Sequence, residues 1–424
     1  MTAPRLQDLP PKEIAEKIAK YFRPSEPISQ IDALFGRKLN IRQIERALLS
    51  PGKHVFVYGD RGVGKTSLAR SSVSGFLAKP VDRVPFVSCD TNSDFFSIMS
   101  GVFDEAVRID PNLFKGVEAE FGMNIGMFSA KARKPPSEDG ASPNSVNQIC
   151  DKLRRLKSKI DGPLIVLIDE FDLISSVEDK KLFADLIKQV SDRALDVRFF
   201  FTGIAKSLEQ LIGGHLSTDR YISSIELSPI SHEARWDIIQ SAFNAENILI
   251  PRDYVIRIGQ ISDGFPFYVH LMGEKLMYAA HDAPSFEGKI TPEIYREAVR
   301  QAVDETQNLP RKAYELATKK HRNSASYEHA LWAVADGTLL QKQVTDIYER
   351  SYIRICDELP INDRLAKRDF YQRLNSLKKA SHGSIICANP QGWYSFSENI
   401  IRGYVRLRAE QAGVKIGIDS FSGH

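Results

Sequence analysis

Tyr58-Gly59-Asp60-Arg61-Gly62-Val63-Gly64-Lys65-Thr66-Ser67 fits the pattern G-x-x-x-x-G-K-[ST], and its flanks supply the context that gives the pattern meaning. His54-Val55-Phe56-Val57-Tyr58 is a β-branched and aromatic run that predicts a buried strand, and Ser67-Leu68-Ala69-Arg70 continues as a helix. A strand that feeds a glycine loop and then a helix points backbone N–H groups inward, and the partial positive charge at the helix start adds to the attraction for an anion. Gly59, Asp60, Arg61, Gly62, Val63, Gly64, Lys65, Thr66 and Ser67 are the candidate cradle of a polyphosphate. Lys65 is placed to reach the β- and γ-phosphates, and the Thr66 hydroxyl to ligate Mg²⁺.

A second motif is independent of the first. Leu164-Ile165-Val166-Leu167-Ile168 is another apolar strand, and Asp169-Glu170-Phe171-Asp172 follows it. Parallel sheets place ligand sites at the carboxyl ends of their strands, so Asp169 is a candidate for the Mg²⁺ or its water shell. Glu170 is the candidate base that polarises an attacking water, and Asp172 is the lesser candidate. Together the motifs predict an α/β fold with a parallel sheet and a site for ATP and Mg²⁺.

Composition sets the outer bounds. The chain has 424 residues, 42% hydrophobic and 26% charged, which is ordinary globular composition and room for about three domains. A net charge of +3 gives no global argument for nucleic acid. Cys89, Cys150, Cys356 and Cys387 are far apart and form no C-x-x-C pair, so free thiols in a reducing compartment are expected. The first residues lack the apolar region of a signal peptide, and no apolar run approaches the ~20 residues that span a bilayer; a cytoplasmic protein with no membrane contact is the expectation.

Residues 1–23 predict a short amphipathic helix, Pro11 to Phe22. After Pro24 comes Leu34-Phe35-Gly36-Arg37, then a helix through Leu49 with Ile41, Ile44, Ala47 and Leu48 on one face. Phe35-Gly36-Arg37 ahead of a helix and the phosphate loop resembles the AAA+ ATPases, particularly the replication-initiator (origin-recognition-like) clade and related bacterial ATPases. The resemblance implies that Leu34, Phe35 and Gly36 line the base pocket; a plain helix entry is the alternative.

A strand is expected over Val84 to Ser88 and a helix from about Ser93 to Ile109. Val117, Ala119, Phe121, Met123, Ile125 and Met127 then alternate with period two, which predicts a strand or hairpin in an insertion spanning 117–145. Initiator-type AAA+ proteins carry an insertion here that faces DNA, so the resemblance makes Lys131, Arg133 and Lys134 candidate DNA contacts; a solvated charged loop is the alternative. Helices follow at about Val146 to Lys159 and Lys180 to Leu195, and a strand over Asp196 to Phe201 ends at Thr202-Gly203. By the resemblance Thr202 orients the water near the γ-phosphate, or else is a strand-end turn residue. Arg220, in Ser217-Thr218-Asp219-Arg220-Tyr221, is by the resemblance the arginine that reaches a neighbouring subunit's ATP, which implies a homo- or hetero-oligomer with ATP at its interfaces; an ordinary surface arginine is the alternative.

Residues 230–308 read as a helical lid closing a core of 24–229. Here the chain departs from the initiators: in place of their Gly-Asp-Ala-Arg-like lid start it reads Asp263-Gly264-Phe265-Pro266-Phe267-Tyr268-Val269-His270. Gly264-x-Pro266 instead resembles the STAND signalling ATPases and related transposition ATPases, which implies slow turnover and a switch.

From 309 to 412, helices at Ser326 to Ala335, Gln341 to Glu358 and Asp363 to Lys379 precede two strands, Ser384 to Ala388 and Trp393 to Phe396, and a closing helix from Ser397. Three helices and a β-ribbon are the winged-helix pattern; residues 413–424 read as a tail. Residues 311–410 hold 17 Lys+Arg against 11 Asp+Glu, whereas the rest of the chain holds 40 against 43. Positive charge is thus concentrated where a DNA-reading module would sit, with Lys367, Arg368, Arg373, Lys378 and Lys379 as candidate contacts; a protein-docking wing with a solvated basic face is the alternative. The expectation is an ATP-hydrolysing AAA+ switch that assembles on double-stranded DNA. The alternative is a STAND-like ATPase that gates an effector protein in defence or transposition.

Overall fold

The computed structural model describes residues 6–111, 143–204, 220–306, 309–319, 324–359 and 364–417. They form two compact units, one of Pro27–Gly59 with Lys65–Ser228, the other of Met1–Glu26, Asp60–Gly64 and Pro229–His424. The expected insertion strand, with Lys131, Arg133 and Lys134, lies outside the described residues.

The first unit is built on β1 (His54–Tyr58), β2 (Phe86–Ser88), β3 (Leu164–Asp169), β4 (Val197–Gly203) and β5 (Ile222–Glu226). The order is β2-β3-β4-β1-β5, and every pairing is parallel. β3 and β4 are buried at every residue, which explains why they read as continuous apolar runs rather than as alternations. β5 carries no such run because it lies at the sheet's edge and buries only two of its five residues, Ile222 and Ile225. The flanking helix Lys38–Leu49 buries Ile41, Ile44, Ala47 and Leu48, the four positions expected from its spacing.

An aromatic cluster fixes the end of β3. Phe171, next after Glu170, is 1% exposed and packs edge-on against Phe56, Phe183 and Phe201, with centroids 5.7, 5.1 and 5.0 Å away. Such edge-to-face pairs add to simple area burial. The acidic motif is therefore anchored by the apolar residue inside it.

In the second unit, the helices His232–Ala245, Arg252–Ser262, Pro266–Asp282 and Pro292–Glu305 occupy the segment expected to be a lid. The helix Pro11–Tyr21 packs on them: Phe22 fills the space where a Cβ at Gly273 would stand, 2.2 Å from the ring. The C-terminal segment runs Ser324–Ala335, β6 (Lys342–Gln343), a helical stretch 344–358, Lys367–Leu377, β7 (Ile386–Ala388) and β8 (Trp393–Phe396), then Ile401–Gln411. Its sheet, β6-β8-β7, is antiparallel, and the element order is that of a winged helix. Two expectations are corrected. Lys342 and Gln343 do not begin a helix but pair with Tyr394 and Trp393 as a third strand, and the closing helix starts at Ile401 rather than Ser397.

That closing helix is tied to the end of the helix Arg252–Ser262 by a buried charge cluster. Arg402 and Arg406, 0% and 2% exposed, each place a guanidinium nitrogen 2.9 Å from a carboxylate oxygen of Asp263. Tyr268 donates its hydroxyl to the Ile400 carbonyl at 2.8 Å. Lys342, Arg402 and Arg406 are buried, so part of the C-terminal cation surplus never reaches the surface.

Candidate active site

Glycine conformation shapes the phosphate loop. Gly59, Gly62 and Gly64 have φ of +148°, +82° and +95°, values that side chains with a Cβ rarely take. At Gly59 a Cβ would also stand 2.4 Å from the Leu227 carbonyl oxygen. Lys65 opens the helix Lys65–Leu77 and folds its ammonium back onto the Gly59 carbonyl at 3.1 Å. Asp60–Gly64 group with the second unit, where Asn399 donates to the Asp60 carboxylate at 2.8 Å.

At the tips of β3 and β4 three predicted residues meet. Asp169, 6% exposed, accepts the Thr66 hydroxyl on Oδ2 at 2.7 Å and the Thr202 hydroxyl on Oδ1. The Glu170 backbone N–H donates to Oδ1 at 3.0 Å. Asp169 and Thr202 are thus buried together, with the half-buried Thr66 closing the cluster. Glu170 adopts a left-handed backbone, φ 55° and ψ 36°, and is exposed, which carries its carboxylate out of the strand line while Phe171 stays in the core. Strain of this kind is retained where the surroundings hold it. Asp172 is bound to the Ile204 backbone N–H at 2.7 Å and serves the turn after β4.

Two features of the site gave no sequence signal. Ser88, at the end of β2, donates to Glu170 Oε2 at 3.1 Å; its place opposite Asp169 follows only from the β2–β3 register. Ile28 donates its N–H to Ser67 Oγ at 3.1 Å and accepts the Ser71 hydroxyl at 2.8 Å, which staples the segment before Leu34 along the phosphate-loop helix. Burial, with Asp169 close by, pushes the Cys89 thiol up to about 12, so it stays protonated beside the acids.

Leu34 and Phe35 are half-buried and Gly36 is exposed at φ +72°. Arg37 is buried and donates to the Ser228 carbonyl at 2.8 Å; burial lowers its pKa to about 10. It ties the helix entry to the segment after β5. Arg220 stands just before β5, whose first residue pairs with His54 at the start of β1. It therefore lies at the sheet's amino edge, whereas the phosphate loop leaves the carboxyl end of β1, about 15 Å away at ~3.3 Å per residue. Its guanidinium stacks on Tyr221, 4.5 Å from the ring centre, and pairs with Asp192 at 3.6 Å. His270 is a core residue, edge-on to Phe22, and burial lowers its pKa to about 4.

Residues 33–199, which hold the loop and the acidic strand, match the family model described as an AAA ATPase domain. Among solved structures, the Walker-type ATPase PABY2304 of Pyrococcus abyssi is similar in fold, at 18% identity over 90% of this chain and 99% of that one, with a TM-score of 0.51. Cdc6p of Pyrobaculum aerophilum follows at 16% identity over 92% and 98%, TM-score 0.46. Orc1 of Aeropyrum pernix, in complex with DNA, stands at 14% over 90% and 94%, TM-score 0.43. No curated protein compared with the chain matches it. The AAA ATPase fold implies nucleotide binding. Among the described residues, no helix is long and apolar enough to cross a membrane.

Proposed function

We propose that this AAA ATPase is an ATP-hydrolysing switch that assembles on double-stranded DNA through its winged helix. The observation that carries the ATPase reading is the cluster at Asp169, where the loop hydroxyl of Thr66 and the strand-end hydroxyl of Thr202 converge on one buried carboxylate. Mg²⁺ fits these residues. Thr66 and Asp169 offer hard oxygen ligands, and among the described residues no group of three His, Cys, Asp or Glu forms a closed cage; a cation that takes its remaining ligands from phosphate and water is the one such a site suits. When bound, it would neutralise phosphate charge.

The chain's own groups supply the rest. Loop N–H groups cradle the phosphates, and Lys65 exchanges its bond to the Gly59 carbonyl for a phosphate oxygen. Glu170 accepts a proton from the attacking water, and Thr202 holds Asp169 in place. Arg220, remote from its own loop, serves the ATP of a neighbouring subunit, so hydrolysis is slow until the protein assembles. The decisive experiment is size measurement of Glu170→Gln with ATP and duplex DNA. Expected is an ATP-loaded oligomer that binds duplex in a salt-dependent way; a protein that never retains adenine nucleotide overturns the reading.

The alternative, a STAND-like gate on an effector protein, is favoured by one observation: the residue before Gly264-x-Pro266 is the carboxylate bound by Arg402 and Arg406 of the closing helix. Under that reading the protein binds no duplex at any salt concentration and a specific protein co-purifies in its place.

A further inference from the structure

We propose that the helix Lys367–Leu377 reads base sequence in duplex DNA through Arg368, Gln372, Asn375 and, just past its end, Lys379. This rests on the reading of the C-terminal segment as a DNA module and adds sequence selectivity and the residues that carry it.

The argument begins with the helix's two faces. Phe370, Leu374 and Leu377 are fully buried. At about 100° per residue, positions 368, 372, 375 and 379 fall within an arc of roughly 60° on the opposite side, and all four are exposed. Among the described residues none of these four side chains makes a hydrogen bond or ion pair. The other cations of the segment are turned to the flanks and engaged. Lys367 pairs with Glu349 at 2.7 Å; Arg373 donates to Ser326 Oγ at 3.0 Å and lies over the Tyr327 ring; Lys378 lies 5.4 Å from the centre of the Tyr394 ring.

The composition of the free stripe is what selects the partner. Cations at both ends, Arg368 and Lys379, suit a polyanion, and both side chains also match guanine O6 and N7. The two residues between them are neutral amides. Gln and Asn displace no counterions from phosphate, but each can make a bidentate pair with adenine N6 and N7 in the major groove. Amides can donate to phosphate as well, but only a base edge offers them a two-point pair, and adenine is the base whose edge fits it. A duplex with adenine at the centre of its site and guanine toward an edge complements the stripe.

The test uses the full chain. Duplexes are selected from a random library, and affinities for the selected and a scrambled duplex are then measured by fluorescence anisotropy at two salt concentrations. The wild type should return an adenine-containing consensus and prefer it by tenfold or more. Q372A and N375A should each lose about tenfold on the selected duplex, the scale of a bidentate base contact, with scrambled binding unchanged, while K367A keeps the preference. A library without consensus, or Q372A and N375A binding the selected duplex as tightly as wild type, overturns the inference and leaves general DNA binding standing. No duplex binding at all removes both.

Discussion

The tips of β3 and β4 and the outer face of Lys367–Leu377 are both polar, yet they are organised in opposite ways. At the strand tips the groups are already bonded to one another: Asp169 holds Thr66, Thr202 and the Glu170 N–H, and Ser88 holds Glu170. On the helix face four side chains stand without intramolecular partners among the described residues. A prebonded site has met its ordering cost during folding and responds to a ligand by exchanging hydrogen bonds. A free stripe meets that cost on binding, and so it discriminates by what it meets.

The widest break in that comparison comes from deleting a group the first site cannot replace. Lys65→Ala should weaken ATP binding by about 10²-fold or more, because a cation at a triphosphate is lost from a preorganised cradle. Calorimetry showing unchanged affinity would remove Lys65 from the site. Glu170→Gln should bind ATP as wild type does while hydrolysis falls by roughly 10²–10⁴-fold; a rate within threefold of wild type would mean that another group handles the water's proton.

Asp263 sharpens the contrast from a third place, since it is prebonded like the strand tips but has no proposed contact with a ligand. Asp263→Asn leaves Arg402 and Arg406 buried without a counter-charge, a change that costs about 3–5 kcal/mol. Chemical denaturation should register that loss, and an unaltered midpoint would show that the two arginines are satisfied by the carbonyls of Ala335, Gly337 and Gln260 alone.

Acid probes prebonding of another kind. Burial, helped by Arg198, lowers His54 to about 3, and burial lowers His270 to about 4. Both lie below the ordinary 6.5, so between those values the unfolded chain binds more protons than the folded one. Stability is therefore full above about pH 6.5 and falls as pH drops toward 4, by up to about 1.4 kcal/mol per pH unit for each histidine. A melting temperature flat from pH 7 to pH 5 would contradict the burial of both rings.

These regions also differ in how far the sequence announces them. The loop, the acidic strand and the helix Lys38–Leu49 are legible because each depends on local spacing: glycines, an apolar run ending in carboxylates, a 3.6-residue stripe. β5 and β6 are not, since the edge strand Ile222–Glu226 buries only two residues, with no period-two pattern, and Lys342–Gln343 is held mainly by pairing with β8. The C-terminal charge count misleads for a related reason. It does not distinguish Arg402 and Arg406, sealed around Asp263, from Arg368 at the surface, and it is blind to Gln372 and Asn375, which carry no charge.

The smallest expected effect isolates a single prebonded contact. Ser88 lies across from Asp169 in the β2–β3 register, and its hydroxyl holds Glu170 Oε2 at 3.1 Å. That bond occupies one carboxylate oxygen and fixes the direction of the side chain, while Oε1 stays open to a proton. A single hydrogen bond to a charged, exposed group contributes about 1 kcal/mol after exchange with water, so Ser88→Ala should raise the basal ATPase rate only severalfold and leave ATP affinity unchanged. If the rate instead falls, the hydroxyl is steering Glu170 toward the water rather than restraining it. The sign of that small change tells whether the strand tips are prebonded for catalysis or against it.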